Sequence, residues 1–215
     1  SADLGTMRQV QKYAPSCDLH ISVQSGICNY ETARAFYDLG AKRVVLAREL
    51  SLQEIAEIRA KTPKELEIEA FAHGAMCVSY SSRCLLSSYM TGRDANRGEC
   101  VQACRWKYMV REVSREESLE VEEDEKGSYI FNSKDLNMIE HLQQLKDAGV
   151  DSVKIEGRMK SPYYVATVVN AYRKAIDMLP NKPTEVLCNE LCKASHRRYT
   201  TGFYFKDEEK IYTED

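Results

Sequence analysis

No stretch of this 215-residue chain approaches the run of about 20 apolar residues that a membrane-crossing helix needs. An excess of charge of one sign is missing too. Thirty basic against 33 acidic residues leave a net charge of −3 and a pI near 5.9, so nothing draws the chain globally to nucleic acid or to an anionic membrane. Any RNA contact has to come from a local patch. Histidine is scarce, with four in all, and neither His-Glu-x-x-His nor Gly-x-Ser-x-Gly occurs. The metalloprotease helix and the serine-hydrolase elbow are therefore excluded. Internal repeats and low-complexity tracts are absent. So is a start Met with an apolar leader, and the abrupt opening Ser1-Ala-Asp-Leu-Gly reads as an excised piece. The expectations are a cytoplasmic protein with no membrane partner, and an excised chain that is inactive alone.

Cysteine, by contrast, is abundant, with eight residues in the chain. Cys17, Cys28, Cys188 and Cys192 read as scattered buried thiols that pack as small hydrophobes. The other four, Cys77, Cys84, Cys100 and Cys104, fall within twenty-eight residues, in a segment rich in Gly, Ser, Asn and Arg. Gathering thiolates is costly unless a metal or cluster binds them or disulfides tie them, and no oxidising compartment is indicated. Their spacing, Cys-x6-Cys-x15-Cys-x3-Cys, fits neither a zinc knuckle nor a ferredoxin run. Soft thiolates favour an Fe–S cluster or zinc over magnesium or calcium, and spacing does not decide between the two.

Strand and helix patterns alternate along the first two-thirds. Strands are expected at Leu19–Gln24, Arg43–Ala47, Glu65–Phe71, Tyr129–Asn132 and Asp151–Glu156. Asn29 caps a helix from Tyr30 to Leu39 that stops at Gly40, and Ser51 with Glu54 forms a capping box for a helix burying Leu52, Ile55 and Ile58. A third helix is expected from Asp135 to Ala148 on the spacing of Leu136, Ile139, Leu142 and Leu145. A fourth opens at Ser161-Pro162. Such repeats imply parallel strands joined by right-handed crossovers. About five strands are too few to close an eight-stranded barrel. The expected fold is therefore α/β, the C-terminal part of a partial (β/α) TIM-like barrel over residues 1–180. It would include a Cys-rich loop at 73–106 and a β insertion at 107–128, with the acidic run Glu116 to Lys126 at the insertion's tip. Residues 181–215 read as a polar C-terminal extension or the start of a second domain. A small open α/β sheet is the alternative.

Period-two alternation assigns faces. Glu67, Glu69, Phe71 and His73 should share one side of their strand, and Lys154, Glu156 and Arg158 one side of theirs. The apolar alternates pack under the helices, so the charged sets point into the barrel or its mouth, with Gln24 and Arg48 at strand ends nearby. Two arrangements satisfy such charges: an ion-pair network of Glu69, Glu156, Lys154 and Arg158 that fills the lumen, or a site for a small anion. Candidate acid–base groups are His73, Glu69 and Glu156, and candidate substrate-binding groups are Lys154, Arg158, Arg48 and Gln24. His73 also forms the sole plausible Cys/His pair, with Cys77. Arg93, Arg97, Arg105, Trp106 and Lys107 mix cations with an aromatic, as a single-stranded RNA site does; equally, such arginines can bond their own loop's carbonyls.

The segments Glu69-x-Phe71-x-x-Gly74-Ala-Met-Cys77 and Arg83-Cys84-x-Leu86-Ser87 resemble the signature of the collagenase-like peptidases, an unclassified peptidase family. Arg93-Asp-Ala-Asn-Arg-Gly98, Cys104-Arg-Trp-Lys-Tyr108 and Lys154-Ile-Glu-Gly-Arg-Met-Lys160 are similar to the family's RNA-modifying branch, which makes tRNA 5-hydroxyuridine. The resemblance covers most of residues 19 to 205. One departure is Ser82, where the family usually carries Gly, which alters the turn before Cys84. The resemblance implies a barrel-like domain whose first strands are absent here and a [4Fe–4S] cluster on Cys77, Cys84, Cys100 and Cys104. It further implies tRNA hydroxylated at the wobble uridine, with prephenate as co-substrate. Prephenate is a small dicarboxylate, which suits Lys154 and Arg158. The alternatives are a true collagenase-like peptidase and a binding module held by structural zinc. A homo-oligomer or a paralogous partner subunit is compatible with the open strand edges.

Overall fold

The structure, a computed structural model, describes residues 1–77, 79, 84–106 and 134–205, together with the backbone of 108–111 and 118–121. No side chain is described for Asn96. Arg83, Lys107, the Ser82 departure and the expected strand Tyr129–Asn132 lie outside the described residues.

Strand β1 (Leu19–Ile21) lies parallel to β2 (Ala41–Val45), and β2 parallel to β3 (Glu67–Ala75). The long β3 also takes β7 (Ser152–Glu156) in parallel, so the sheet is parallel-dominated. Past the residues paired with β2, the C-terminal part of β3 carries β6 (Asp135–Asn137) antiparallel, and β6 carries β8 (Tyr199–Thr200) parallel. A separate antiparallel ladder joins β4 (Tyr108–Arg111) to β5 (Ser118–Val121), inside the expected insertion. Strand β5 begins within the acidic run, so the whole run is not a hairpin tip.

Seven helices are present among the described residues: α1 (Leu4–Tyr13), α2 (Tyr30–Asp38), α3 (Leu52–Lys61), α4 (Leu86–Thr91), α5 (Leu142–Asp147), α6 (Pro162–Asp177) and α7 (Glu185–Leu191). Their starts follow local chemistry. Asn29 accepts the N–H of Thr32 at 2.8 Å, Ser51 and Glu54 close a reciprocal capping box, and Ser161 accepts the N–H of Tyr164 ahead of Pro162. Ile55 and Ile58 bury the inner face of α3, while Tyr164, Val168, Ala171, Tyr172 and Ala175 bury that of α6. The core these faces build with β1, β2 and β3 is continuous.

Two expectations change. Leu19–Gln24 is not one strand: it turns after Ile21 into a 3-10 turn at Val23–Ser25, capped by Ser22. Residues 135–148 are not one helix. Asp135–Asn137 forms β6, a 3-10 turn follows at Ile139–His141, and only Leu142–Asp147 is α-helical. The apolar spacing is helical, but β3 offers free backbone groups between Ala72 and Ala75, and the ladder wins locally. The segment after Pro180 forms α7, adds β8 to the sheet, and contributes Leu191 and Tyr204 to the core.

Candidate active site

A cavity of about 470 Å³ lies at the C-terminal ends of β1, β2, β3 and β7. That end is where ligands bind in parallel α/β sheets, because each strand there gives way to a loop with free side chains. Gln24 comes from the turn after β1, Arg48 from the end of β2, Cys77 from the end of β3, and Glu156 and Arg158 from the end of β7. The cysteine segment closes the cavity from the other side.

All four clustered cysteines line this cavity, and all eight cysteines of the chain are free thiols. Backbone N–H groups two residues on point at three of the sulfurs. Ser79 donates to Cys77, Leu86 to Cys84 at 3.3 Å and Gln102 to Cys100 at 3.2 Å. Gln102 reaches this position only by adopting a left-handed φ of 56°, sparsely populated for a residue with a side chain. Burial pushes the Cys77 and Cys104 thiols above their ordinary values, and neighbouring cysteines add to it. Arg48 opposes that rise at Cys77, and Arg105 opposes it at Cys104. Sulfurs that accept N–H bonds yet crowd one another suit a shared cation, which would remove the mutual repulsion. Among the described residues, no three Cys, His, Asp or Glu groups are already drawn together around one point. The remaining cysteines differ from expectation: Cys17 and Cys192 are exposed, and Cys28 and Cys188 only partly buried.

The cationic wall is built on β3 and β7. Their register places Phe71 beside Lys154 and Gly74 beside Glu156, which sets Lys154 and Glu156 on the cavity face. Gly74 is required there. Its φ is 101°, and a Cβ would stand 2.0 Å from the Glu156 carbonyl oxygen. Arg48 is partly buried with its guanidinium 3.6 Å from the Phe71 ring centroid, and desolvation lowers its proton affinity against the pull of Cys77 and Glu156. Lys154 donates to Glu69 at 3.0 Å, and Arg43 and Ser152 also bond that carboxylate. Burial alone would raise the Glu69 carboxyl, but these three partners outweigh it and hold it below its ordinary value. Glu69 thus stays ionised and orients Lys154. Gln24 donates to the Ala95 carbonyl at 3.3 Å, and the Arg158 guanidinium to that of Gly98, so both brace the cysteine segment.

His73 departs from the expected face. A bulge between Phe71 and His73 slips the register by one residue, pairing His73 with Ile155 on the helix side of the sheet. There it is 1% exposed and ringed by Tyr164, Tyr172 and Tyr199, with Nδ1 3.2 Å from the Tyr172 hydroxyl. Burial pulls its pKa down to about 4. Cys77 lines the cavity on the opposite side, so the expected Cys/His pair is not assembled.

The basic residues of the cysteine segment divide. Arg93 and Arg97 are exposed, and Trp106 is half-exposed. Arg105 instead turns inward, its guanidinium 2.8 Å from Asp135, a carboxylate that is wholly buried. Asp135 also receives the Arg197 N–H at 3.2 Å and faces Lys160 at 3.6 Å. Burial would raise this carboxyl, but Arg105 first, then the Arg197 N–H and Lys160, hold it below its ordinary value. The pairing ties the cysteine segment, the loop after β7 and the tail to one point on β6. Sequence reasoning missed Asp135, because a polar residue ahead of an apolar period reads as a helix start.

These features sit in a known family. The chain matches Peptidase family U32 over residues 1–214 and belongs to it. It is 41% identical to tRNA hydroxylation protein P of Escherichia coli, an alignment covering 94% of this chain and 54% of that protein. It is 38% identical to the 23S rRNA 5-hydroxycytidine C2501 synthase of the same organism, over 92% of this chain and 28% of the relative. A collagenase of Porphyromonas gingivalis is 39% identical over 76% of this chain and 41% of its own. The chain spans about half the length of tRNA hydroxylation protein P. No solved structure matches it significantly.

Proposed function

We propose that this chain is the cysteine-bearing part of an RNA hydroxylase, acting on uridine at the tRNA wobble position with prephenate as co-substrate. The observation that carries this is the joining of four thiols and a cationic wall in one cavity, three of the sulfurs already accepting backbone N–H bonds. Relatives named for RNA hydroxylation support it. The sheet is read as part of a (β/α) TIM-like barrel, with the cavity at its mouth.

Cys77, Cys84, Cys100 and Cys104 would hold a [4Fe–4S] cluster, which supplies one-electron redox chemistry when bound. Zinc, which needs four donors about 2.3 Å from one point, is the alternative occupant of the same thiols. Lys154, held by Glu69, and Arg48, held over Phe71, bind the carboxylates of a small dicarboxylate such as prephenate. Glu156, at the cavity wall beside Arg158, is the carboxylate placed to move a proton there. A peptidase built on His73 and Cys77 finds no support, since the two face opposite sides of the sheet.

The test is anaerobic preparation of the intact protein with iron and sulfide quantitation, followed by Cys84→Ser. About four iron atoms per chain, lost in the variant together with tRNA 5-hydroxyuridine, is the expected result. An iron-free protein that still hydroxylates tRNA would sink the cluster, and zinc at one per chain would select the binding module.

A further inference from the structure

The short helix α4, the 3-10 turn Ala95–Arg97 and the turn Ala103–Arg105 pack together as one wall of the cavity. Their inner side chains, among them Leu86, Ser87 and Ala103, line it. Ser87 is fully buried and fixes the wall by accepting the N–H of Val101 at 3.2 Å. The outer side of the same wall carries a different chemistry. Leu85 and Tyr89 are one helical turn apart, so they share a face, and they are 75% and 87% exposed. Trp106, at the end of the third turn, is 45% exposed. Single exposed apolar residues are ordinary. Two exposed aromatics on elements that pack into one wall, in a segment whose Arg93 and Arg97 are also exposed, are not. Arg97 is held only by a loose 3.7 Å surface pair with Asp94.

Resting on the RNA reading above, we propose that this rim is a stacking platform for unpaired bases, with Tyr89 and Trp106 each taking the face of a nucleotide that flanks the reacting one. Three features favour RNA over a protein partner. The aromatics supply π faces to any base, the arginines supply phosphate contacts, and the net charge of the chain is negative, so the cationic groups at this rim are a local feature. The cavity also dictates an unpaired strand. Its thiols lie behind the wall, so a base reaches them only by leaving its stack, and the vacated neighbours need a new surface.

Trp106 is the single tryptophan of the chain, which makes it a direct reporter. The experiment titrates the 215-residue chain with an RNA hairpin whose loop contains uridine, and with a blunt duplex of matched length, following both tryptophan fluorescence and filter binding. The expectation is saturable quenching by the hairpin alone, with affinity reduced about fivefold or more in Tyr89→Ala and retained in Tyr89→Phe and Trp106→Phe. Binding of the hairpin without quenching, and with Tyr89→Ala unchanged, overturns the platform while leaving the RNA reading intact. Equal affinity for the duplex overturns it as well. If no RNA binds and Tyr89→Ala instead abolishes self-association in sedimentation, both readings fall and the rim is a protein interface.

Discussion

Replacing Asp135 with Asn keeps the side chain's shape and removes one charge at the centre of the fold. Asp135 is wholly buried and the side chain of its partner Arg105 is 9% exposed, so the substitution leaves a guanidinium in the interior with no counter-charge at 2.8 Å. Breaking one side of a buried pair costs about 3–5 kcal/mol, a large share of the about 5–15 kcal/mol that holds a domain together. With a urea m-value near the upper end of about 1–3 kcal/mol per molar, the midpoint should fall by about 1–2 M. Lys160 loses the same counter-charge at 3.6 Å and adds to the damage, although its ammonium keeps the Ser195 carbonyl at 3.0 Å. The double variant Asp135→Leu/Arg105→Met removes both charges and should recover much of the loss, as apolar replacements of buried pairs commonly do. The pH dependence is a second check. The folded carboxyl lies below its unfolded value of about 3.9, so its stabilisation is complete above that value and is lost as pH falls through the folded one. The gap between wild type and Asp135→Asn should therefore stay constant from pH 7 to 5 and close below pH 4. A midpoint shift under about 0.3 M, or a gap that closes near neutrality, would refute the reasoning.

His73 also costs stability in acid, but in a higher pH window. Its pKa falls to about 4 in the fold against 6.5 free, so acidification protonates the unfolded chain first and stability declines between those values, by about 2 kcal/mol at pH 5. His73→Phe should flatten that part of the urea-midpoint profile; a wild-type profile already flat from pH 7 to 5 would contradict it. Gly74→Ala must move the Glu156 carbonyl and strain a left-handed backbone, so a loss of at least about 2–4 kcal/mol in thermal or urea unfolding is expected. Lys154→Ala leaves Glu69 with Arg43 and Ser152, so stability should change by under about 1 kcal/mol. Calorimetric titration with prephenate should show its affinity down about tenfold or more; unchanged affinity would remove Lys154 from the site.

The elements that sequence could read are those whose cause is local. Asn29, the Ser51–Glu54 box and Ser161-Pro162 cap their helices through atoms three residues away or fewer, so the signal and its effect share one short window. The clustering of Cys77, Cys84, Cys100 and Cys104 and the period-two spacing of Lys154 and Glu156 are of the same kind, and both lead to one cavity. What composition and spacing alone settled is an α/β chain with a cysteine-rich loop following a charged strand, and no route to a membrane helix or a metalloprotease motif.

Tertiary structure decided which way those groups face and what they pair with. One bulged residue in β3 sends His73 among the tyrosines of α6 instead of toward Cys77, because a slip of one in a period of two exchanges faces. Arg105 reads like Arg93 and Arg97 in a line of sequence, yet a carboxylate thirty positions on turns it inward while they stay in solvent. Asp135 and its strand are visible only once β3 is present to bond them. Local chemistry is written residue by residue, but register and burial belong to pairs of segments distant in the chain, and only the folded molecule brings those pairs together.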